Sequence, residues 1–319
     1  MTAGLLPYLV ALATMMAILA VAALGLSLQF GMAGLFNVGC AAFFAVGAYA
    51  SAIVTGPHFA VGLGGFGFPL PVGLLAAVAL STLLAFAVAA MLLRLQGDYL
   101  AIASFGLAIA VQIACVNAAG VTGGPGGLSG IPLPLRDSLR PNGALAWLTV
   151  CIGIALTAYG TLQRLDAAPW GRALRALSED PEAAAAMGKN VARLRLQAFV
   201  IGAALMGLSG GLYAHNAGFI SPQDFLPILT FQLYAMVIVG GAGNHAGALL
   251  GACVVWLLWS ASGQVLAGMM PASLQSKVGA LRVILIAAVL LAMLLLRPSG
   301  LMPERIGPPA RRGIADAAR

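Results

Sequence analysis

The sequence predicts an all-α, polytopic integral membrane protein of about nine transmembrane helices with glycine-rich breaks. Three observations carry that prediction. Apolar residues make up 61% of the chain and charged residues 8%, with a mean hydropathy of +1.00, whereas ordinary soluble domains carry roughly 25% charge. No aspartate, glutamate, lysine or arginine precedes Arg94, and a stretch of that length without one has no place in a water-soluble fold. Finally, apolar runs recur at the length of about 20 residues that a helix needs to cross the hydrocarbon core.

The runs fall at 7–28, 32–55, 70–93, 98–118, 143–163, 194–215, 226–241, 247–267 and 279–296. The first reads as a retained span. It has no positive n-region and is too long for a signal-peptide core, although Ala20-Val21-Ala22 resembles a cleavage site. The shortest, 226–241, reads as tilted or re-entrant. Residues 1–305 form one transmembrane domain, and 306–319 a disordered cytoplasmic tail.

Glycine-rich stretches interrupt this pattern at 30–39, 121–132 and 240–247. Two readings stand side by side. Glycine serves turns and close helix contacts, as at Gly207/Gly211 and Gly247/Gly251. Alternatively, irregular backbone at membrane depth lines a translocation route, because only protein or a water-filled path can satisfy it there.

Charge is concentrated in one place. Residues 169–195 hold eight of the 25 charged side chains: Arg172, Arg175, Glu179, Asp180, Glu182, Lys189, Arg193 and Arg195. Arg164 and Asp166 extend the island. Its local pattern is two short helices meeting at Asp180-Pro181. Asp180 suits an N-cap, Pro181 the first helical position, Glu182 the positive end of the helix dipole, and Gly188 the C-terminal stop. A charged, water-exposed hairpin between two spans is a place for a soluble partner to dock.

With that island in the cytoplasm and the spans alternating, twelve cations fall inside and four outside. This places the N-terminus outside and the C-terminus in the cytoplasm. The net charge of +7 therefore reports orientation in a lipid membrane and no nucleic-acid partner.

The residues also exclude functions. No Gly-x-x-x-x-Gly-Lys-Ser/Thr loop exists, so ATP is not held by that device. The span interiors lack the carboxylates that a cation-coupled carrier needs at the midplane. Cys40, Cys115, Cys151 and Cys253 are scattered through apolar runs, and His58, His215 and His245 are as dispersed, so no metal site and no catalytic cluster is expected. What remains is a solute pathway whose energy arrives through a partner. A channel or facilitator, or a secondary carrier, for a small polar solute such as urea or an amide is the alternative, but it leaves the charged island unexplained.

Glu182-Ala183-Ala184-Ala185-Ala186-Met187-Gly188 resembles the Glu-Ala-Ala-x-x-x-Gly loop of ABC-importer permeases, without the Ile-x-Leu-Pro that follows it in the fuller pattern. Its neighbours extend the likeness along nearly the whole chain. They are residues 24–39, 42–49, Thr122-Gly123-Gly124 through Ile131-Pro132, Gly171 to Ala176, Gly218-Phe219-Ile220-Ser221-Pro222, Gly240 to Asn244, and Arg297-Pro298-Ser299-Gly300-Leu301. Together these are similar to the branched-chain amino acid ABC permease family. The long Thr-Gly-Gly loop and the Arg-Pro-x-Gly-Leu ending fit its M-type subunit. Cys40 departs from the pattern, standing where similar permeases have His.

The resemblance implies a non-catalytic permease subunit in a bacterial inner membrane, importing branched-chain or other hydrophobic amino acids. It implies a second permease subunit, two cytoplasmic ABC ATPases that bind the ATP, and a periplasmic binding protein, with no cofactor on this chain. It assigns ATPase coupling to Arg172, Arg175, Glu179, Asp180, Glu182, Ala183, Ala184 and Gly188. Candidate path-lining polar residues within that scheme are Asn37, Gln112, Asn117, Asn216 and Gln232.

Overall fold

In lipid a chain must satisfy its own backbone N–H and C=O groups, and a helix does so within one segment. The computed structural model describes residues 2–57, 65–95, 97–133 and 142–269, with scattered positions between 279 and 302. Its long helices are α1 (Thr2–Leu26), α3 (Leu70–Leu92), α4 (Asp98–Asn117), α6 (Gly143–Ala167), α9 (Val191–Ala217) and α11 (His245–Met269). Shorter ones are α2 (Cys40–Thr55), α5 (Ala119–Thr122), α7 (Pro169–Glu179), α8 (Pro181–Ala186) and α10 (Ile228–Gly240). The six long helices have the length and apolarity to cross a membrane, and α2 and α10 are shorter apolar helices. The expected span at 279–296 lies outside the described residues apart from isolated helical positions, as does the tail at 306–319.

One expected boundary is corrected. The second span, read as 32–55, is helical only from Cys40. Residues 27–32 instead continue α1 as a π-helical turn, and 33–39 are irregular. The physical reason is packing at Gly31, where any Cβ would overlap the backbone of Gly243.

The core sits around α1, α2 and α9. In their most apolar windows α1 and α9 bury 61% and 56% of residues, against 22–28% for the other long helices, which face outward. Almost every residue of α2 is buried. Small residues permit this closeness. A Cβ at Gly47 would overlap Gly207 of α9, and one at Gly210 would overlap the Phe44 carbonyl of α2. Gly207 and Gly211 also face α3, while Gly247 and Gly251 face α10. These pairs are helix contacts, as small residues in membrane bundles are.

Two of the glycine-rich stretches pair with distant motifs. Leu128–Ser129 (β1) forms a two-residue antiparallel ladder with Phe219–Ile220 (β2), and the Ile131 amide donates to the Gly218 carbonyl at 3.1 Å. At the other end, the Leu301 and Met302 amides donate to the Val239 and Gly240 carbonyls, each at 2.9 Å. The chain's closing motif thereby lies along the break between α10 and α11.

Candidate functional site

The charged island folds as two helices at a sharp corner. α7 turns Gly171, Leu174 and Leu177 inward, where all three are buried, and Trp170 Nε1 donates to Gln197 Oε1 of α9 at 2.9 Å. Arg172, Glu179 and Asp180 stay exposed. Asp180 takes the extended conformation between the helices and caps α8, its carboxylate accepting from the Glu182 and Ala183 amides at 2.9 and 3.0 Å. Proline at the first position of α8 completes the start.

The end of α8 is equally local. Gly188 adopts φ +77°, and the Lys189 amide reaches back to the Ala184 carbonyl at 3.1 Å, which satisfies a terminal carbonyl in the Schellman manner. Ala184 is fully buried, whereas Glu182, Ala183 and Gly188 are exposed and Met187 is 66% exposed. The hairpin therefore presents carboxylates, an arginine and a bare methionine outward. Arg175 is different: it bonds both oxygens of Asp166, at 2.5 and 2.7 Å, on the inner side of α7.

Beneath the hairpin lies the first break. Gly34, at φ +64°, packs against Ser178 of α7. Behind it runs a buried polar network. Gln29 Nε2 donates to the Phe199 carbonyl at 2.7 Å, and Asn37 Nδ2 donates to Gln29 Oε1 at 2.8 Å. The Gly39 amide donates to Asn37 Oδ1 at 2.9 Å, and the Tyr234 hydroxyl donates to the Asn37 carbonyl at 3.0 Å. Side chains of Ser104 and Thr230 take the Val38 and Ala41 amides. This is how irregular backbone survives among apolar helices: protein groups replace water.

The five candidate path residues are not brought to one lumen. Asn37 is wholly buried in the network above. Gln112 is partly buried on α4, and Asn117 is exposed, donating to the Ile113 carbonyl of its own helix. Asn216 lines a cavity of about 90 Å³ with Thr14, Trp147 and His215. Gln232 lines another, of about 290 Å³, with Phe44, Tyr213, Asp224 and Trp256.

Two histidines that the sequence leaves isolated prove to be anchored. His215 Nδ1 lies 2.9 Å from the Pro132 carbonyl, which can only accept. The ring proton therefore sits on Nδ1, and Nε2 accepts from the Ser51 hydroxyl at 2.9 Å. His245, opening α11, lies 3.3 Å from the Ser27 hydroxyl of the π-helical turn. Their partners are 83 to 218 positions away, so no local pattern signals them. Among the described residues no group of histidines, cysteines and carboxylates could hold a metal ion.

Comparison with known proteins bears on the whole chain. A family model described as the permease component of branched-chain amino acid transport systems matches residues 8–294. The LivM high-affinity branched-chain amino acid transport permease of Escherichia coli (strain K12) is 31% identical over 315 residues, spanning 92% of this chain and 69% of that protein. A probable branched-chain amino acid transport permease LivM of Methanocaldococcus jannaschii is 28% identical, covering 91% of this chain and 83% of its own length. The LivH permease of Salmonella typhimurium is 22% identical over 248 residues, or 74% and 79% of the two chains. No solved structure matches.

Proposed function

From a chain that belongs to the family of branched-chain amino acid transport permeases, we propose the membrane-spanning subunit of an ATP-driven importer for branched-chain or other hydrophobic amino acids. The observation that carries this reading is the self-capped hairpin of α7 and α8 resting on the first break. An exposed charged knob set directly on an interrupted helix is suited to receive a push from a soluble partner and pass it into the spans. Small shifts at such a contact become rigid-body movements because packed helices are bistable rather than continuously deformable.

In this reading two ATPase subunits bind the ATP and seat the hairpin through Arg172, Glu179, Asp180, Glu182 and Met187. A LivH-like second permease completes the membrane portion, and a periplasmic binding protein delivers the solute. The hairpin faces the cytoplasm with the C-terminus, and the N-terminus lies outside. The β1–β2 ladder then lies on the outer face, where the delivering protein would dock.

Uptake of labelled leucine into vesicles holding this chain and its partner subunits tests the proposal. Glu182→Lys should abolish ATP-driven uptake while the permease still inserts. Uptake that continues without ATP or without ATPase subunits would overturn the proposal in favour of a channel or carrier.

A further inference from the structure

A groove of about 360 Å³ runs between the end of α3 and the first turns of α9, at the hairpin end of the bundle. Farther along, the same two helices pack closely, since a Cβ at Gly207 of α9 would overlap Ser81 of α3. Six of the seven residues lining the groove are apolar: Phe86, Ala89, Ala90 and Leu93 on one side, Ala192 and Leu196 on the other. The seventh is Arg94. It is exposed, and its guanidinium has no hydrogen bond or ion pair among the described residues. Asp98, the acid nearest to it in sequence, does not pair with it. Arg193 and Arg195 flank the α9 face that carries Ala192 and Leu196, because successive helical residues turn by about 100°. Neither forms an ion pair among the described residues.

Depth gives this arrangement its meaning. Arg94 stands just past the end of α3, at the level where a span leaves the hydrocarbon. Phe86 lies two turns deeper, about 12 Å away at roughly 1.5 Å per residue. An open cation at the head of an apolar groove complements a molecule with a negative head and an apolar tail. A soluble anion would leave the apolar walls uncovered, and a zwitterionic lipid would bring its own cation beside three arginines. Basic pockets between membrane helices take anionic head groups for this reason. We propose that the groove holds an anionic phospholipid, its phosphate on Arg94 and one acyl chain laid along Leu93, Ala89, Phe86 and Leu196. Ala192, on the opposite wall, comes four positions after Gly188. The lipid therefore ties the end of α3 to the helix that leaves the hairpin, and membrane composition sets how freely the hairpin moves.

The test is native mass spectrometry of the assembled transporter, released from nanodiscs that hold equal amounts of phosphatidylglycerol and phosphatidylcholine. The parent protein should retain phosphatidylglycerol in preference to phosphatidylcholine. Arg94→Gln should weaken that retention about fivefold, the equivalent of about 1 kcal/mol for one basic residue at a membrane surface, and Arg94→Lys should restore most of it. Ala90→Trp, at an exposed position on the groove wall, fills the groove and should remove the retained lipid although all three arginines remain. Arg172→Gln, which alters an exposed arginine of α7 outside the groove, should change nothing. Equal retention of the two lipids, or a loss in Arg94→Gln no larger than in Arg172→Gln, would overturn the site. Retention that survives Ala90→Trp in a monodisperse, folded complex would overturn it too, by showing that surface charge alone gathers the lipid. Lipid retention requires no transport, so these outcomes are separate from any failure of the importer reading.

Discussion

Gly34 and Ser178 touch: a Cβ on the glycine would lie 3.3 Å from that of the serine. One belongs to the irregular segment after the first helix, the other to the last turn of α7. A displacement of the hairpin therefore reaches residues 33–39 directly, and from there α4 and α10, whose Ser104 and Tyr234 side chains bond Val38 and Asn37, and α9 by way of Gln29, which joins Asn37 to the Phe199 carbonyl.

Gly34→Val should separate stability from coupling. A β-branched residue at φ +64° costs about 1–2 kcal/mol, and its extra carbons must push Ser178 away. The assembled complex should show a modest fall in its unfolding midpoint, read by differential scanning fluorimetry. Leucine uptake per ATP hydrolysed should fall much further. An unchanged ratio would show that this contact transmits nothing.

Asn37→Leu should be among the more damaging polar substitutions. It strips partners from Gln29 and from the Gly39 amide, both inside the protein, at about 1–3 kcal/mol per stranded group. A double-mutant cycle with Gln29→Leu should give a coupling energy of about 0.5–3 kcal/mol, measured by chemical unfolding in detergent. Simple additivity would mean that the two amides act independently.

Asp180→Ala removes the cap of α8, worth about 1 kcal/mol locally, at an exposed position outside the core. ATP-driven uptake should drop while the unfolding midpoint stays close to that of the parent. Asp180→Asn, which can still accept from the Glu182 and Ala183 amides, should recover most of the helix but only part of any charge-dependent docking.

Gly47→Ala is expected to fail at the level of folding. Its methyl would overlap the Gly207 backbone, and because the obstacle is main chain, α2 and α9 must move apart. Overpacking of this kind costs about 1–3 kcal/mol or more. Fluorescence-detected size-exclusion should show a loss of the monodisperse peak, whereas Gly153→Ala, with open space at its position, should leave it intact.

Much of this architecture is legible in the sequence because it is local. The long apolar runs mark the helices, and the corner at Asp180-Pro181 with its stop at Gly188 follows from capping rules that span only a few residues. The breaks are legible as glycine, but not their partners. Nothing in the neighbourhood of Gly31 announces Gly243, and nothing near Leu128 announces Ile220, because those contacts are made by backbone across the fold. The same reason misplaces the start of the second span: a continuous apolar run hides a change from π-turn to loop that only tertiary packing imposes. Polar residues within spans advertise a route in the sequence, yet Asn37 bonds its own chain and Gln232 and Asn216 line separate cavities.

The segment between the first two helices has one more property. The Val38 and Gly39 amides, and that of Ala41 in the first turn of α2, are each held by a side chain, and two of those side chains come from α4 and α10. Deuterium should accordingly enter these positions as slowly as it enters the centre of a long helix, although 33–39 has no regular secondary structure. Exchange there would then report opening of the whole bundle. It offers a clock for the transport cycle, since protection lost at Val38 and Ala41 would mark the moment when α4 and α10 let go of the chain.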